Sequence, residues 1–116
     1  MEKQFNPFSL ENKVIVISGA ASGIGRQCAI NCSKMGAKLI LLDLNEKGLE
    51  ETAQMIDNGT EYYSAVINLT DYDKVEEIIS EAVTKVGRIT SLLNCAGIST
   101  TLPIKKCYED IISILD

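Results

Sequence analysis

Three glycines lie in one short segment of this chain, between an apolar run and a stretch of helical period. The segment reads Ser-Gly-Ala-Ala-Ser-Gly-Ile-Gly from Ser18, which is a G-x-x-x-G-x-G pattern. Because glycine has no Cβ, Gly19 permits a sharp turn, Gly23 lets backbone amides approach an anion and Gly25 allows close helix packing. A helix that begins here directs unpaired N–H groups and its positive dipole end at a pyrophosphate. The pattern predicts a phosphate-binding turn; a glycine-rich turn without a ligand is the alternative.

A carboxylate follows at the distance that dinucleotide binding requires. Asp43 ends the next apolar run, close to the separation of about 20 residues at which such folds present an acid to the adenosine ribose. The extra phosphate of NADP would place like charges about 4 Å apart there, a penalty of about 4 kcal/mol at an effective dielectric near 20. No Arg at positions 18–25, 44 or 45 offsets it, and Lys47 is the only nearby cation that could weaken this preference. The residues therefore favour NAD over NADP, unless Asp43 is only a solvated strand-end or helix-capping acid.

The composition excludes several other kinds of chemistry. The 116 residues include no histidine, which removes Ser-His-Asp and Cys-His catalytic arrangements. Asp and Glu number 16 against 11 Lys and Arg, and the formal net charge of -5 disfavours a grip on nucleic acid phosphates. No apolar run approaches the roughly 20 residues of a membrane span, and positions 1–12 are unlike a signal peptide. We expect a cytoplasmic protein that binds neither nucleic acid nor membrane.

Cysteine offers little further chemistry. Cys28 and Cys32 lie four apart in one predicted helix, Cys95 and Cys107 lie far along the chain, and no Cys-x-x-Cys occurs. A zinc site needs more ligands at tighter spacing, and no phosphate-binding Gly-Lys-Ser/Thr follows the glycine turn. We expect free, mostly buried thiols and no metal site.

The elements that must position these residues alternate regularly along the chain. Apolar runs at 13–18, 38–43, 62–67 and 89–94 predict strands, and the stretches between them have helical period. Such alternation is typical of βαβ units on a doubly wound parallel sheet, the α/β class, and no linker or repeat divides positions 1–116 into two domains.

Helix faces and ends follow from the same reading. Helices are predicted at 23–35, after an Asn45 cap, after a capping box of Thr70 with Asp73, and at 108–115. Gly36, Gly59 and Gly87 are expected to end the first three. The buried stripe of the first helix is predicted as Ile24, Cys28, Ile30, Cys32 and Met35, and that of the third as Val75, Ile78, Ile79, Ala82, Val83 and Val86.

A second motif makes the resemblance to a family specific. Asn-Cys-Ala-Gly at 94–97 follows the fourth predicted strand, as the glycine segment follows the first. The pair resembles the T-G-x-x-x-G-I-G and N-N-A-G motifs of the short-chain dehydrogenase/reductase family, including its members similar to 3-oxoacyl-acyl-carrier-protein reductase. Ser18 stands for the family's Thr, and Cys95 for its second Asn. The resemblance covers the family's N-terminal half and implies a Rossmann-like sheet in the order 3-2-1-4.

The resemblance also implies a site for NAD(H). Asn68 stands where the family usually has Asp, and its side-chain oxygen can still accept from the adenine amine. Four groups of positions are implied: Gly19, Ser22, Gly23, Ile24 and Gly25 around the pyrophosphate, Asp43 and the Leu44 backbone at the adenosine ribose, Asn68 and Leu69 at adenine, and Asn94, Ala96 and Gly97 beside the fourth strand and the ribose.

The family's catalytic Ser, Tyr, Lys and Asn lie C-terminal to the region that the resemblance covers. None of the four tyrosines is followed by Lys four residues later, so no Tyr-x-x-x-Lys occurs. We expect an NAD-binding portion, truncated before the catalytic half and inactive alone, of an oxidoreductase acting on an alcohol or carbonyl, including a 3-oxoacyl thioester. A non-catalytic nucleotide-binding or interaction module, or another Rossmann-like use of a nucleotide, is the alternative. The strand at 89–94 would lie at a sheet edge, which predicts a homo-oligomer.

Overall fold

The computed structural model describes residues 6–96, so the predicted helix at 108–115, Gly97 and Cys107 lie outside the described residues. Strands and helices alternate as the apolar periodicity predicts. The elements are β1 Val14–Ser18, α1 Gly23–Lys34, β2 Lys38–Asp43, α2 Glu46–Met55, β3 Tyr62–Val66, α3 Tyr72–Val86 and β4 Ser91–Asn94. No helix in this part of the chain is long and apolar enough to cross a membrane.

The four strands form one parallel sheet in the order β3-β2-β1-β4, which confirms the predicted order. β1 lies between β2 and β4, with Ile17 opposite Leu41 on one side and Leu93 on the other. β1 and the middle of β2 are buried, as continuous β-branched and leucine runs predict for central parallel strands. Among the described residues, β3 and β4 form the two edges.

Helices cover both faces of the sheet, because successive side chains of each central strand point to opposite sides. Ile15 and Ile17 of β1 pack in the cluster that includes Ala29 of α1 and Leu49 of α2. Val14 and Val16 pack in the opposite cluster, with α3. The second cluster is completed by Ile40, Leu42, Ile67, Val75, Ala82 and Val86.

The buried face of α1 differs from the predicted stripe by one position. Its buried residues are Gly25, Ala29 and Ser33, while Ile24 is 77% exposed. Cys28 and Cys32 are half-buried and pack against the first cluster. The buried side chains of α1 are thus small, and the larger apolar residue Ile24 is left in solvent.

The N-cap of α3 lies one residue later in the chain than predicted. Asp71, not Thr70, is the N-cap, and its carboxylate accepts from the Lys74 backbone N–H at 3.4 Å. The Thr70 hydroxyl is drawn into the preceding turn instead, where it donates to Asn68. On the buried side Val75, Ala82 and Val86 are as predicted, with Ile78 and Ile79 half-buried, but Val83 is 37% exposed at the edge of the stripe.

β4 begins at Ser91 instead of the predicted position 89, for a reason visible at Thr90. The Thr90 hydroxyl accepts from the Val14 backbone N–H at 2.9 Å and lies 3.0 Å from the Val14 carbonyl, to which it donates. A side chain thus replaces the backbone acceptor of the ladder at this end of the strand. The other strands agree with prediction to within one residue, and Asn45 caps α2 by accepting from the Gly48 N–H at 3.0 Å.

Candidate functional site

The residues with candidate chemistry meet at one edge of the sheet. The glycine turn follows β1, Asp43 ends β2, Asn68 follows β3 and Asn94 ends β4. Because the strands are parallel, their carboxyl ends lie side by side, at the edge where doubly wound sheets bind ligands. Every predicted site residue except Gly97 lies in the described part of the chain, and each of these described residues lies at or just after the carboxyl end of a strand.

Gly19 allows the turn to lie against the end of β4. Its φ of +73° is a left-handed conformation, and a Cβ built there would lie 2.6 Å from the carbonyl carbon and oxygen of Cys95. The Gly19 and Ala20 N–H groups both donate to the Leu42 carbonyl, at 2.9 and 3.2 Å. The turn is therefore tied to β2 and leaves no room for a side chain on the β4 side.

The two later glycines have different surroundings. A Cβ on Gly25 would overlap the carbonyl oxygen of Gly19, so the first turn of α1 packs directly on the backbone of the glycine turn. Gly23 has φ of +56° and nothing within 4 Å of the place where its Cβ would lie. The structure therefore has tight packing at Gly25 and open space at Gly23, and the approach of a phosphate to Gly23 stays a prediction.

The N-terminus of α1 lacks the side-chain cap that the other two helices of residues 6–96 have. Asn45 and Asp71 accept from backbone N–H groups of α2 and α3, whereas Ser22 makes no side-chain cap hydrogen bond. The first N–H groups of a helix have no acceptor within the helix. Ser22 and Ile24 are both exposed at this end. Donors beside the open space at Gly23 are the groups that bind a phosphate at a helix N-terminus.

Asp43 is half-buried and joined to two backbone amides. One carboxylate oxygen, Oδ2, accepts from the Ala21 N–H at 2.9 Å, and the other, Oδ1, accepts from the Asn45 N–H at 3.1 Å. The acid thus holds both the glycine turn and the residue that caps α2. Each carboxylate oxygen has a second lone pair, so these bonds leave acceptor capacity for ribose hydroxyls. Leu44, which follows, is 53% exposed.

The fourth strand is joined to the first through their ends. The buried Ser18 hydroxyl donates to Asn94 Oδ1 at 2.6 Å, and the Cys95 N–H donates to the Ser18 carbonyl at 3.1 Å. The hydroxyl that Ser18 keeps in place of the family's Thr therefore has a definite partner. Ala96 follows and is exposed.

Asn68 uses its side-chain oxygen within its own loop. Oδ1 accepts from the Thr70 N–H at 3.0 Å and from the Thr70 hydroxyl at 2.7 Å. An adenine amine would have to compete with Thr70 for this oxygen. The sequence did not indicate this competition. Leu69 is half-buried and packs against the second core cluster.

Two residues that the sequence reading did not single out support the turn. Arg26, directly after Gly25, donates to the Ala21 carbonyl at 2.5 Å, and Thr52 of α2 donates to the Ala20 carbonyl at 2.7 Å. Thr52 is fully buried. The available signal was a hydroxyl three residues after Leu49, on the apolar face of α2, where a polar group must find a partner.

The described cysteines, Cys28, Cys32 and Cys95, are free thiols. Burial, and then the nearby Cys28 thiol, raises the pKa of Cys32 and of Cys95. A raised pKa makes a thiol a poor nucleophile at neutral pH. Within residues 6–96 no three His, Cys, Asp or Glu side chains gather to hold a metal ion. Among the described residues, the site therefore offers backbone amides, hydroxyls and the Asp43 carboxylate.

Comparison with known proteins agrees with this geometry. The model of the short chain dehydrogenase family matches residues 13–114. The 3-oxoacyl-(acyl-carrier-protein) reductase FabG of Thermotoga maritima is 38% identical over 104 residues, which cover 87% of this chain and 42% of that protein.

Solved structures show the same relationship. The 2-keto-3-deoxy-D-gluconate dehydrogenase of Streptococcus agalactiae is 31% identical with a TM-score of 0.71, over 85% of this chain and 38% of that one. A structure from Haemophilus influenza described as a D-mannonate oxidoreductase, with bound NAD, is 28% identical with a TM-score of 0.73, over 80% and 34%. This chain thus spans less than half the length of these proteins. It belongs to the short-chain dehydrogenase family.

Proposed function

We propose that this chain binds NAD(H) and serves as the nucleotide-binding part of an oxidoreductase acting on an alcohol or carbonyl compound. The observation that carries the proposal is the uncapped N-terminus of α1 beside the open space at Gly23. Helix N-terminal amides that no side chain caps, next to a glycine with room in front of it, suit a pyrophosphate. Bound nicotinamide supplies or accepts the hydride in this class of reaction.

Each group of proposed binding residues contacts one part of the dinucleotide. The phosphates lie against the glycine turn and the start of α1, and the adenosine ribose hydroxyls donate to the Asp43 carboxylate. Adenine lies beside the loop after β3, and the end of β4 borders the nicotinamide side. The proposed binding residues are Gly19, Ser22, Gly23, Ile24, Gly25, Asp43, Leu44, Asn68, Leu69, Asn94, Ala96 and Gly97, the last of which lies outside the described residues.

Charge at the ribose favours NAD over NADP. A phosphate on the ribose would lie beside the Asp43 carboxylate. Arg26 follows the turn closely in sequence, but its Nη2 is already bound by the carbonyls of Ala21 and Gly48 and by the Glu51 carboxylate. The bound NAD of the 28% identical Haemophilus structure supports the same choice.

The chemical step needs residues that this sequence does not contain. No Tyr-x-x-x-Lys occurs among the 116 residues, so we propose that this chain alone binds the dinucleotide without transferring hydride. The Thermotoga relative, a 3-oxoacyl-(acyl-carrier-protein) reductase by name, makes a 3-oxoacyl thioester one substrate to test in a longer protein.

We further propose that residues 1–116 act as one dinucleotide-binding unit, in the cytoplasm and within a homo-oligomer. In the described structure β4 pairs only with β1, and an apolar strand edge promotes association with another chain. The formal net charge of -5 argues against nucleic acid as a partner.

Calorimetric titration of the 116-residue chain with NAD, NADP and AMP tests the proposal. NAD and AMP are expected to bind, and NADP to bind at least about tenfold more weakly than NAD, because about 1.4 kcal/mol of charge repulsion is enough for that factor. Asp43→Ala should remove the preference, while Asp57→Ala, at an exposed acid near the opposite end of the sheet, should keep it. A folded wild-type chain that binds neither NAD nor AMP would overturn the proposed function.

A further inference from the structure

The backbone of the glycine turn is held from behind by a side chain of α2. The fully buried Thr52 hydroxyl donates to the Ala20 carbonyl at 2.7 Å and lies 3.1 Å from the Gly48 carbonyl of its own helix. The same oxygen accepts from Arg26 Nε at 3.0 Å. Thr52 therefore links α2, the glycine turn and α1 through one oxygen atom.

Arg26, in the first turn of α1, also binds the carbonyls of this arrangement. Its Nη2 donates to the Ala21 carbonyl at 2.5 Å, to the Gly48 carbonyl at 3.2 Å and to Glu51 Oε2 at 3.1 Å. The rigid planar fork of a guanidinium suits several acceptors held in fixed directions. Arg26 and Thr52 are thus committed to backbone carbonyls of the turn and of α2.

These bonds determine how the peptide units of the turn are oriented. In a trans peptide the C=O and the next residue's N–H point in opposite directions. The Ala20 carbonyl is bound by Thr52, and on the other side of the same peptide the Ala21 N–H is bound by Asp43. This peptide unit is therefore held at both ends.

The next peptide unit is held at its carbonyl end. The Ala21 carbonyl is bound by Arg26, so the Ser22 N–H on the same peptide points away from the guanidinium. Ser22 is the exposed N-cap of α1, and its φ and ψ of -163° and 170° are extended. Arg26 thereby sets the direction of an amide at the end of α1 where the phosphate is proposed to bind.

We propose that Arg26 and Thr52 are positioning residues for phosphate recognition. Neither side chain touches the nucleotide; together they hold the Ala20 and Ala21 carbonyls towards α2, so that the turn does not present carbonyl oxygens to an anion and the Ser22 amide faces it. The inference rests on the proposed nucleotide binding and deepens it. It assigns part of the affinity for phosphate to a side chain of α2, on the far side of the turn from the ligand.

Substituting Thr52 or Arg26 should weaken the binding of phosphate-containing ligands in particular. This distinguishes a positioning role from a role in stability alone. ADP depends on the turn amides, whereas adenosine depends on the ribose and adenine contacts. If Thr52 and Arg26 position the amides, their substitution weakens ADP more than adenosine. If they only stabilise the fold, the free energy of unfolding falls and the ratio of the two affinities stays constant.

The experiment is an NMR titration of the ¹⁵N-labelled 116-residue chain with adenosine and with ADP at low salt, together with urea unfolding. Thr52→Val should weaken ADP about five- to tenfold, the worth of roughly one hydrogen bond, and leave adenosine within about twofold. The ADP-induced shift of the Ser22 amide should shrink with it. Thr52→Ser, which keeps the hydroxyl, should retain the wild-type ratio.

Substitutions of the arginine separate geometry from charge. Arg26→Lys keeps the positive charge but cannot reproduce the fork, so it should lower the ADP affinity about as much as Arg26→Met. Glu51→Gln is the control, because the Glu51 side chain binds the guanidinium on an exposed part of α2, and it should behave as wild type.

Two outcomes overturn the inference, and they differ in what else they overturn. ADP binding by wild type with an unchanged ADP-to-adenosine ratio in Thr52→Val would reject the positioning role alone. Absence of ADP binding by the folded wild-type chain would reject the proposed nucleotide binding, and the inference with it. If Thr52→Val does not fold, an unchanged ratio in Arg26→Lys and Arg26→Met decides against the inference in the same way.

Discussion

The Ser18 hydroxyl donates to Asn94 Oδ1 at 2.6 Å and joins the carboxyl ends of β1 and β4. The two partners are in unequal surroundings, since Ser18 is 3% exposed and Asn94 is exposed. A buried hydroxyl that loses its partner cannot form a hydrogen bond to water instead, whereas an exposed amide can. The two halves of this bond therefore contribute differently to stability.

We predict that Asn94→Ala costs about 1–3 kcal/mol of unfolding free energy, because it leaves the Ser18 hydroxyl buried without a partner. Ser18→Ala should cost less than about 1 kcal/mol, and the double variant little more than Ser18→Ala alone. A double-mutant cycle measured by urea unfolding checks this. Costs of the two single changes that simply add would contradict the assignment.

We predict that alanine at two positions of the glycine turn costs unequal amounts of stability. Gly25→Ala should cost about 3 kcal/mol or more, because its Cβ would overlap the Gly19 carbonyl oxygen. Gly23→Ala should cost only the left-handed backbone penalty of about 1–2 kcal/mol, since nothing lies within 4 Å. Urea unfolding of both variants measures the difference. Equal costs would show that Gly25 is not packed as described.

Thr90 replaces a backbone acceptor at the start of β4, so its hydroxyl should matter. Thr90→Val leaves the buried Val14 N–H without its acceptor, and we expect a loss of about 1–3 kcal/mol. Thr84→Val is the matched control, because the Thr84 hydroxyl donates to the Ser80 carbonyl on an exposed part of α3. That variant should stay within about 0.5 kcal/mol of wild type in the same unfolding assay.

Tyr63 links the stability of the protein to alkaline pH. Burial, and then the hydrogen bond to Glu81 Oε2 at 2.9 Å, raises the pKa of the Tyr63 phenol. A raised pKa means that the folded state holds the proton more tightly than the unfolded chain does. The resulting stability is fully present below the unfolded pKa of about 10 and is lost as the pH rises through the folded pKa.

Tyr63→Phe should therefore lose less stability than wild type when the pH is raised from 8 to 11. The measurement is the free energy of unfolding in urea at several pH values across that range. Tyr62→Phe is the matched control, because Tyr62 lies on the same strand with an exposed ring, and it should keep the wild-type slope. An unchanged slope in Tyr63→Phe would contradict the prediction.

Local sequence determined most of the element order and much of the site. Continuous apolar runs specify buried strands, helical periods specify the helices between them, and Asn45 caps α2 as its residue type predicts. Gly19 and Gly25 lie where the structure has no room for a Cβ, and the sequence indicates this by placing glycine there. These features can be predicted from the sequence because they depend on residues close together in the chain, through the apolar period and the size of each side chain. The 3-2-1-4 order came from the resemblance carried by two motifs and agrees with the structure.

Contacts between distant segments were decided only by the tertiary structure. The face of α1 that the sheet buries carries Gly25, Ala29 and Ser33, so Ile24 lies exposed despite its place in the apolar period. Asp43 and Thr52 each bind a backbone group of the glycine turn, 22 and 32 residues away, and no pattern in the sequence pairs them. A polar side chain bonds to whatever donor or acceptor the packing brings within reach. The sequence by itself therefore determined that a glycine turn and an acid meet at one edge of a parallel sheet, and the packing of α2 determined what holds them there.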